Sequence, residues 1–260
     1  MSGVKRIEHV FERAESAFMP YSVLGYPTRE VGLDIVRTLV GAGADILELG
    51  VPFSDPLADG PVIQAAAQQS LANGTTLAGC IEMVRQLRTE GIETPALLMG
   101  YVNPMLSFGL PELVADAARA GVDGFIIPDL PPEEAGEFDR LCSDAGLALI
   151  YFLAPTSTPE RITWVTNNAR GFIYLVSVTG VTGERQGLPD YLTALIHRVR
   201  AETSTPVVVG FGIGDAEQAR LVGSVADGVV VGSALVRRAG ESPAAVGALA
   251  TAIKAALRPS

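Results

Sequence analysis

The sequence predicts an α/β protein, a (β/α)₈ TIM barrel preceded by one extra N-terminal helix. Short runs rich in Val, Ile and Leu alternate with helical patterns along the 260 residues, as expected of eight strand–helix units. Hydrophobic residues make up 48% of the chain and charged residues 18%, a balance typical of strands that are covered on both faces. No linker or change of composition divides the sequence, so residues 1–260 are predicted to form one domain.

The element boundaries follow from apolar runs and from capping residues. The predicted strands are Phe18–Leu24, Asp45–Leu49, Ala96–Tyr101, Gly124–Pro128, Ala148–Leu153, Gly171–Val176, Pro206–Val209 and Gly228–Val231. The predicted helices include Arg29–Ala42, Leu110–Ala120, Pro132–Ala145, Pro159–Asn168, Asp190–Glu202 and Asp215–Gly223. Thr158 precedes Pro159 as a helix cap, and Gly43, Gly121 and Gly146 follow helices where a left-handed residue is favoured.

Residues 48–61, ELGVPFSDPLADGP, place carboxylates where a buried strand meets a loop. Strand alternation puts Ile46, Glu48 and Gly50 on one face, which we expect to be the barrel interior. Asp59 follows in a loop that three prolines stiffen. Because burying a charged carboxylate is costly, Glu48 and Asp59 are predicted to form an acid–base pair at the C-terminal mouth. A structural carboxylate at position 48 and an ordinary turn aspartate at position 59 are the alternatives.

Glycine-rich turns follow the sixth, seventh and eighth predicted strands, at Ser177–Pro189, Gly210–Asp215 and Val231–Leu235. Barrels often bind phosphate after strands seven and eight, where backbone N–H groups and a helix N-terminus face the anion. The predicted phosphate site consists of Gly212, Gly232 and Ser233, with Gly183 and Phe211 beside them. Tight turns without a ligand would use the same glycines. A doubly wound sheet is the alternative fold, but it usually carries its phosphate fingerprint after the first strand.

Rare residues exclude several kinds of chemistry. Lysine occurs only at Lys5 and Lys254, near the chain ends, which argues against a Schiff-base aldolase or a pyridoxal-phosphate enzyme. Histidine occurs only at His9 and His197, on predicted helices, too few for a zinc centre. We therefore expect no cofactor and no metal, and a reaction that depends on carboxylates, hydroxyls and backbone groups.

Charge and hydropathy limit the partners and the compartment. The net charge of −10 argues against nucleic acid, which is bound through clustered Lys and Arg. No apolar run reaches membrane-spanning length, and the first residues form a charged amphipathic pattern rather than a signal peptide. Cys80 and Cys142 lack metal-type spacing and are expected to be buried thiols in a reducing compartment, so the predicted location is cytoplasmic.

The run ELGVPFSDPLADGPVIQ resembles the signature of the tryptophan synthase α subunit family, and the resemblance covers nearly the whole chain. Further matching segments are LGYP (Leu24–Pro27), MGYVNP (Met99–Pro104), IIPDLP (Ile126–Pro131), YLVSVTGVTG (Tyr174–Gly183), GFGI (Gly210–Ile213) and VGSALV (Val231–Val236). The long Glu–Asp motif is highly specific, whereas GFGI and GSA fit many phosphate-binding barrels. The chain departs from the family's Phe-x-Thr at Tyr21–Val23 and from a frequent Asp at Tyr26, which bears on substrate affinity.

The resemblance implies a barrel that cleaves indole-3-glycerol phosphate to indole and glyceraldehyde 3-phosphate in tryptophan biosynthesis. By position, Glu48 would be the proton-transferring acid/base, and Asp59 would accept the indole N–H. Thr182 would close onto Asp59 as part of a lid, Ser177–Pro189. The remaining implied substrate contacts are Tyr174 and an apolar ring slot made of Tyr21, Met99, Tyr101, Ile126 and Ile213.

The resemblance also implies a partner, a pyridoxal-phosphate β subunit that receives indole through a tunnel in an αββα heterotetramer. Pro52 and Asp55 would touch that subunit. A stand-alone indole-3-glycerol-phosphate lyase that releases free indole is the main alternative. An indole-glycerol-phosphate synthase would need pocket lysines, and a non-catalytic regulatory barrel would not need both Glu48 and Asp59.

Overall fold

Eight parallel strands in the described part of the chain close into a barrel in which each strand pairs with the next and the last pairs with the first. The computed structural model describes residues 1–176, 188–210 and 212–257. The strands are β1 (Ala17–Val23), β2 (Leu47–Gly50), β3 (Ala96–Met99), β4 (Gly124–Ile126), β5 (Ala148–Leu153), β6 (Ile173–Val176), β7 (Val207–Gly210) and β8 (Gly228–Val231). The predicted (β/α)₈ barrel is confirmed.

Helices follow the strands, and one extra helix precedes β1, as predicted. They are α1 (Gly3–Phe11), α2 (Arg29–Gly41), α3 (Pro61–Ala72), α4 (Leu77–Thr89), α5 (Val102–Phe108), α6 (Leu110–Ala120), α7 (Gly136–Asp144), α8 (Pro159–Asn168), α9 (Asp190–Arg200), α10 (Ala216–Gly223), α11 (Ser233–Ala239) and α12 (Pro243–Ala256). Among the residues described, no helix has the length and apolar character needed to cross a membrane. Gly43, Gly121 and Gly146 have the positive φ predicted for helix ends.

One predicted helix is divided. The expected helix Pro132–Ala145 begins as a separate 3₁₀ turn, Pro132–Glu134, and α7 starts only at Gly136. The turn closes through an i to i+3 hydrogen bond from the Ala135 N–H to the Pro132 carbonyl, 3.2 Å long. Such tighter turns are frequent at helix N-termini, and sequence periodicity does not distinguish them from a first α-helical turn.

Strand alternation creates two packed layers. Ile46 points into a cluster inside the barrel, together with residues of neighbouring strands such as Leu97 and Ile126. Leu47 and Leu49, on the other face of β2, pack in the larger cluster between barrel and helices. The interior face of β2 is therefore the face that carries position 48, as the alternation predicted.

Helix α1 covers the N-terminal end of the barrel. Ile7 is fully buried in the interior cluster, and the Phe11 ring lies 5.9 Å from that of Phe172, centroid to centroid. Gly3 permits this close approach, because a Cβ there would lie 2.5 Å from the carbonyl oxygen of Asp123. The helix leaves the opposite, C-terminal mouth available for a site.

Three aspartates that stand just before even-numbered strands each accept a backbone N–H at the N-terminal end of the preceding strand. The Asp123 carboxylate accepts the Ala96 N–H at 2.8 Å, and the Asp227 carboxylate accepts the Val207 N–H at 2.8 Å. Asp45 holds the start of β1 in the same way. These residues stand before β4, β8 and β2, at the ends of the similar sequences GVD (121–123), VAD (225–227) and GAD (43–45).

Asp123→Asn should destabilise the fold much more than Asp227→Asn. The Asp123 side chain is fully buried and pairs with Arg6 at 2.5 Å and Arg88 at 2.7 Å, so its loss leaves two guanidinium groups without their counter-charge. The Asp227 side chain is 38% exposed and, within the described ranges, pairs with Arg200 alone. Urea denaturation should show a loss of about 3 kcal/mol for the first variant and about 1 kcal/mol for the second. Equal losses of stability in the two variants would contradict the view that Asp123 is the more important of the two aspartates.

Candidate active site

A cavity of about 270 Å³, here called the mouth cavity, lies at the C-terminal ends of the strands. The strand ends and the loops that follow them supply its walls, the arrangement that places active sites in barrels of this kind. Among its lining residues are nine that the sequence predicted for the site: Tyr21, Glu48, Asp59, Met99, Tyr174, Gly212, Ile213, Gly232 and Ser233.

Glu48 presents a buried carboxyl to the mouth cavity. It lies on β2 in register with Tyr21 of β1 and Leu97 of β3, and it is only 1% exposed. Its Oε2 is buried and has no hydrogen-bond partner among the residues that the structure describes. Burial, and secondly the charge of Asp59, raise the pKa of Glu48 to about 8. The group therefore holds its proton at neutral pH and can act as an acid.

Asp59 is partly buried and is held in place by the loop between β2 and α3. The Asp59 backbone N–H donates to the Pro56 carbonyl at 3.1 Å, and the Gln64 side-chain amide donates to the Asp59 backbone carbonyl at 2.8 Å. The Tyr101 hydroxyl donates to Asp59 Oδ2 at 3.1 Å. Burial raises the pKa of Asp59, and the hydrogen bond from Tyr101 partly opposes that rise. The loop thus fixes a second carboxylate in the same cavity as Glu48.

Two glycines at strand ends make room for the cavity's tyrosines. A Cβ at Gly50 would lie 2.2 Å from the Tyr21 hydroxyl oxygen, and one at Gly210 would lie 2.2 Å from that of Tyr174. Burial first, and then the neighbouring carboxylates, raise the pKa of both tyrosines well above its ordinary value. Both phenols therefore stay neutral and remain hydrogen-bond donors beside Glu48.

The turns after β7 and β8 form the part of the wall that is built largely from backbone. Gly212 has a φ of 78°, a conformation that L side chains rarely adopt, so a glycine is favoured there. Gly232 precedes α11, which begins at Ser233. The carboxylates and these turns line one cavity.

A family model described as tryptophan synthase alpha chain matches residues 7–257. The chain belongs to the tryptophan synthase alpha chain family. The tryptophan synthase alpha chain of Roseiflexus castenholzii is 52% identical, over 90% of this chain and 91% of its own length. That of Chloroflexus aggregans is 51% identical, over 90% of this chain and 90% of its own length. Members of this family are carbon–carbon lyases of tryptophan biosynthesis, so the predicted family and enzyme class are confirmed.

Solved structures of the family have the same fold. Tryptophan synthase subunit alpha from Legionella pneumophila superposes with a TM-score of 0.90 at 38% identity, covering 99% of this chain and 98% of its own. A chain of Mycobacterium tuberculosis tryptophan synthase superposes with a TM-score of 0.91 at 36% identity, covering 98% and 99%. The barrel described above is therefore the tryptophan synthase alpha fold.

Two predicted ring contacts lie off the wall of the mouth cavity. Ile126 is fully buried, and its side chain packs inside the barrel with Ile150 and Tyr174 instead of lining the cavity. Tyr101 is 4% exposed, and its hydroxyl binds the Asp59 side chain instead of lining the cavity. Thr182, Gly183 and Phe211 lie outside the described residues. Most of the predicted lid, residues 177–187, lies outside them as well.

Sequence reasoning missed several residues that line the mouth cavity, namely Ala58, Gly60, Ile63 and Val230. Alternation along β8 could have identified Val230, since it faces the interior like the cluster around it. The others come from the loop before α3 and from its first turns, whose path has no periodic signal. Among the described residues, no three His, Cys, Asp or Glu side chains come together as a metal site.

Proposed function

We propose that this chain cleaves indole-3-glycerol phosphate to indole and glyceraldehyde 3-phosphate, with Glu48 as the acid/base and Asp59 as the anion at the ring nitrogen. One observation carries the proposal: a buried carboxyl oxygen, unpaired within the described part of the chain, and a second, partly buried carboxyl line the same cavity. Breaking a carbon–carbon bond to an indole ring needs a proton at carbon and negative charge near nitrogen. The two carboxyl groups supply both without a cofactor.

The proposed chemistry uses one protonated and one ionised carboxyl group. Protonated Glu48 gives its proton to C3 of the indole ring, which leaves a cation with its charge on the ring nitrogen. Ionised Asp59 accepts the ring N–H and stabilises that cation. The bond from C3 to the glycerol carbon then breaks, and its electron pair returns to the ring. At the same time the hydroxyl on that glycerol carbon becomes the aldehyde oxygen. The hydroxyl proton passes to the Glu48 carboxylate and restores the acid.

The phosphate would bind to the turns at Gly212, Gly232 and Ser233, which line the cavity beside the carboxylates. Tyr21, Met99, Tyr174 and Ile213 would contact the ring and the glycerol chain. Phosphate binding remote from the reacting carbon would orient the bond that breaks. Thr182, Gly183 and Phe211 are proposed to contribute from outside the described part of the chain.

Gly212→Ala should raise KM for indole-3-glycerol phosphate about tenfold and lower kcat by less than about threefold. The positive φ of Gly212 disfavours any L side chain, so the substituted turn shifts and its N–H group leaves the phosphate position. Gly214→Ala is the matched control: a Cβ there meets only the end of the Gln218 side chain, at 3.6 Å. Steady-state kinetics of both variants measure this. Equal KM values for the two would place the phosphate elsewhere.

We further propose that indole passes to a tryptophan synthase β subunit in an αββα heterotetramer. Two exposed apolar side chains follow the strands beside the site and support such a docking surface: Leu57, 92% exposed, and Leu106, 54% exposed. Asp55 lies exposed in the same loop as Leu57. A cytoplasmic location accords with this function and stays a prediction.

Purified chain, incubated with indole-3-glycerol phosphate, should form indole and glyceraldehyde 3-phosphate in equal amounts, and Glu48→Gln protein prepared in parallel should form them at least about a hundredfold more slowly. Adding a β subunit with serine should increase the rate and convert the indole to tryptophan without free indole in the medium. Accumulation of free indole despite excess β subunit would favour the stand-alone lyase. Absence of both products with and without a β subunit would refute the proposed function.

A further inference from the structure

We propose that Tyr101 is a positioning residue that sets the orientation of the Asp59 carboxylate, instead of a wall of the ring slot. The inference rests on the proposed role of Asp59 at the ring nitrogen.

The Tyr101 hydroxyl connects loop backbone and loop side chain. Its oxygen accepts the Ala58 N–H at 2.9 Å, and it donates to Asp59 Oδ2 at 3.1 Å. A phenol has a single hydrogen to donate. With the Ala58 N–H on the acceptor side, that hydrogen is directed at the carboxylate. The same group therefore fixes the backbone just before Asp59 and one of the two carboxylate oxygens.

The Tyr101 ring is itself held firmly. Tyr101 is the last residue before α5, and the next backbone N–H, that of Val102, donates to Asp129 Oδ1 at 2.9 Å, which fixes the start of the helix. The Phe53 ring packs against it with centroids 5.4 Å apart. A ring that is 4% exposed and packed on one face gives the hydroxyl a defined position. Positioning groups need such support to hold their partners.

This arrangement divides the two oxygens of Asp59. Oδ2 accepts from Tyr101, and Oδ1 is the oxygen that would accept the ring N–H of the substrate. Without the hydroxyl, the carboxylate can rotate about its terminal torsion, which is a soft one. The Asp59 carboxylate would then have to be brought into its working orientation at each turnover. We therefore expect kcat to fall, while substrate binding through the phosphate stays largely intact.

The hydroxyl also favours the charged form of Asp59. Burial raises the pKa of Asp59, and the hydrogen bond from Tyr101 lowers it. Among the described residues, the other titratable groups that interact with Asp59 are Glu48 on β2, Tyr21 on β1 and Tyr174 on β6. Removal of the Tyr101 hydroxyl should raise the pKa of Asp59, so the acid limb of the kcat profile, along which activity rises with pH, should move to higher pH.

Tyr101→Phe tests the inference. We expect kcat to fall about tenfold with KM changed less than about threefold, and the acid limb to move upward. Tyr151→Phe is the matched control, since Tyr151 is also buried but packs against Trp164 away from the mouth cavity. This variant should leave kcat and the acid limb unchanged. Gln64→Leu loosens the same loop from the Asp59 carbonyl and should leave the acid limb in place.

Two further measurements keep the inference falsifiable. Incorporation of 3-fluorotyrosine at position 101 retains the ring and makes the phenol a stronger donor, so the acid limb should move to lower pH. Asp59→Asn, assayed alongside, separates the two proposals: full activity would refute the role of Asp59 itself. If Asp59→Asn is inactive while Tyr101→Phe keeps the parent kcat and acid limb, the inference about Tyr101 is wrong and the proposed function stands.

Discussion

Glu48→Gln should lower kcat for indole-3-glycerol phosphate cleavage by at least about a hundredfold while the barrel stays folded. The amide has nearly the shape of the carboxylic acid but cannot give a proton to the ring or take one from the glycerol hydroxyl. Substrate binding through the phosphate turns should change little, so KM should stay within a few fold of the parent. Glu93→Gln, an exposed change at the opposite end of the barrel, serves as the control.

Stability provides a second readout for the same variant. The folded-state pKa of Glu48 is about 8, above its ordinary value of 4.5, so the folded state binds more protons than the unfolded state between these values. Stability of the parent protein should therefore fall as pH rises through this interval. The Glu48→Gln variant lacks the titrating group, so its melting temperature should exceed that of the parent at pH 8 by more than at pH 5. A folded variant with near-normal turnover would contradict the assignment.

Asp59→Asn should lower kcat by about a hundredfold as well, for a different reason. The neutral amide cannot balance the positive charge that develops on the ring nitrogen, although its oxygen can still accept the N–H. The loop should keep its path, because the Gln64 amide binds the Asp59 backbone carbonyl and the Pro56 carbonyl accepts the backbone N–H, and neither depends on the charge.

Steady-state kinetics of Asp59→Asn, with circular dichroism to confirm folding, measures this effect. Asp144→Asn on α7 is the control, since that carboxylate is exposed and pairs only with Arg140 in the described structure. A loss that appears in KM with kcat unchanged would assign Asp59 to substrate binding alone. Equal turnover in both variants would remove it from the site.

Periodicity predicted the part of the site that lies on strands. Alternation along β2 placed Glu48 inside the barrel, because a strand has only two faces and the apolar residue Ile46 marks the inner one. The same reasoning does not give depth along the barrel axis. Ile126 faces inward as expected, yet it lies within the packed interior cluster and not on the cavity wall.

Tertiary contacts decided what the sequence could not. Tyr101 looks like one more aromatic residue for a ring slot, and only the path of the β2–α3 loop shows that its hydroxyl binds Ala58 and Asp59. Gly50 likewise reads as the end of a strand, whereas its lack of a side chain lets the Tyr21 hydroxyl pass over it. Such contacts join residues far apart in the chain, and no local pattern encodes them.

The buried Glu48 carboxyl is proposed to hold a proton at neutral pH and to deliver it to the ring, and the whole mechanism depends on that proton. Carbon-13 NMR of glutamate carboxyl groups tests this directly, with the Glu48 signal assigned by its absence in Glu48→Gln protein. We expect this signal to titrate with a midpoint near pH 8 in the free chain. A midpoint near 4.5, the ordinary value of a glutamate, would mean that Glu48 is ionised at neutral pH and would contradict the proposed role.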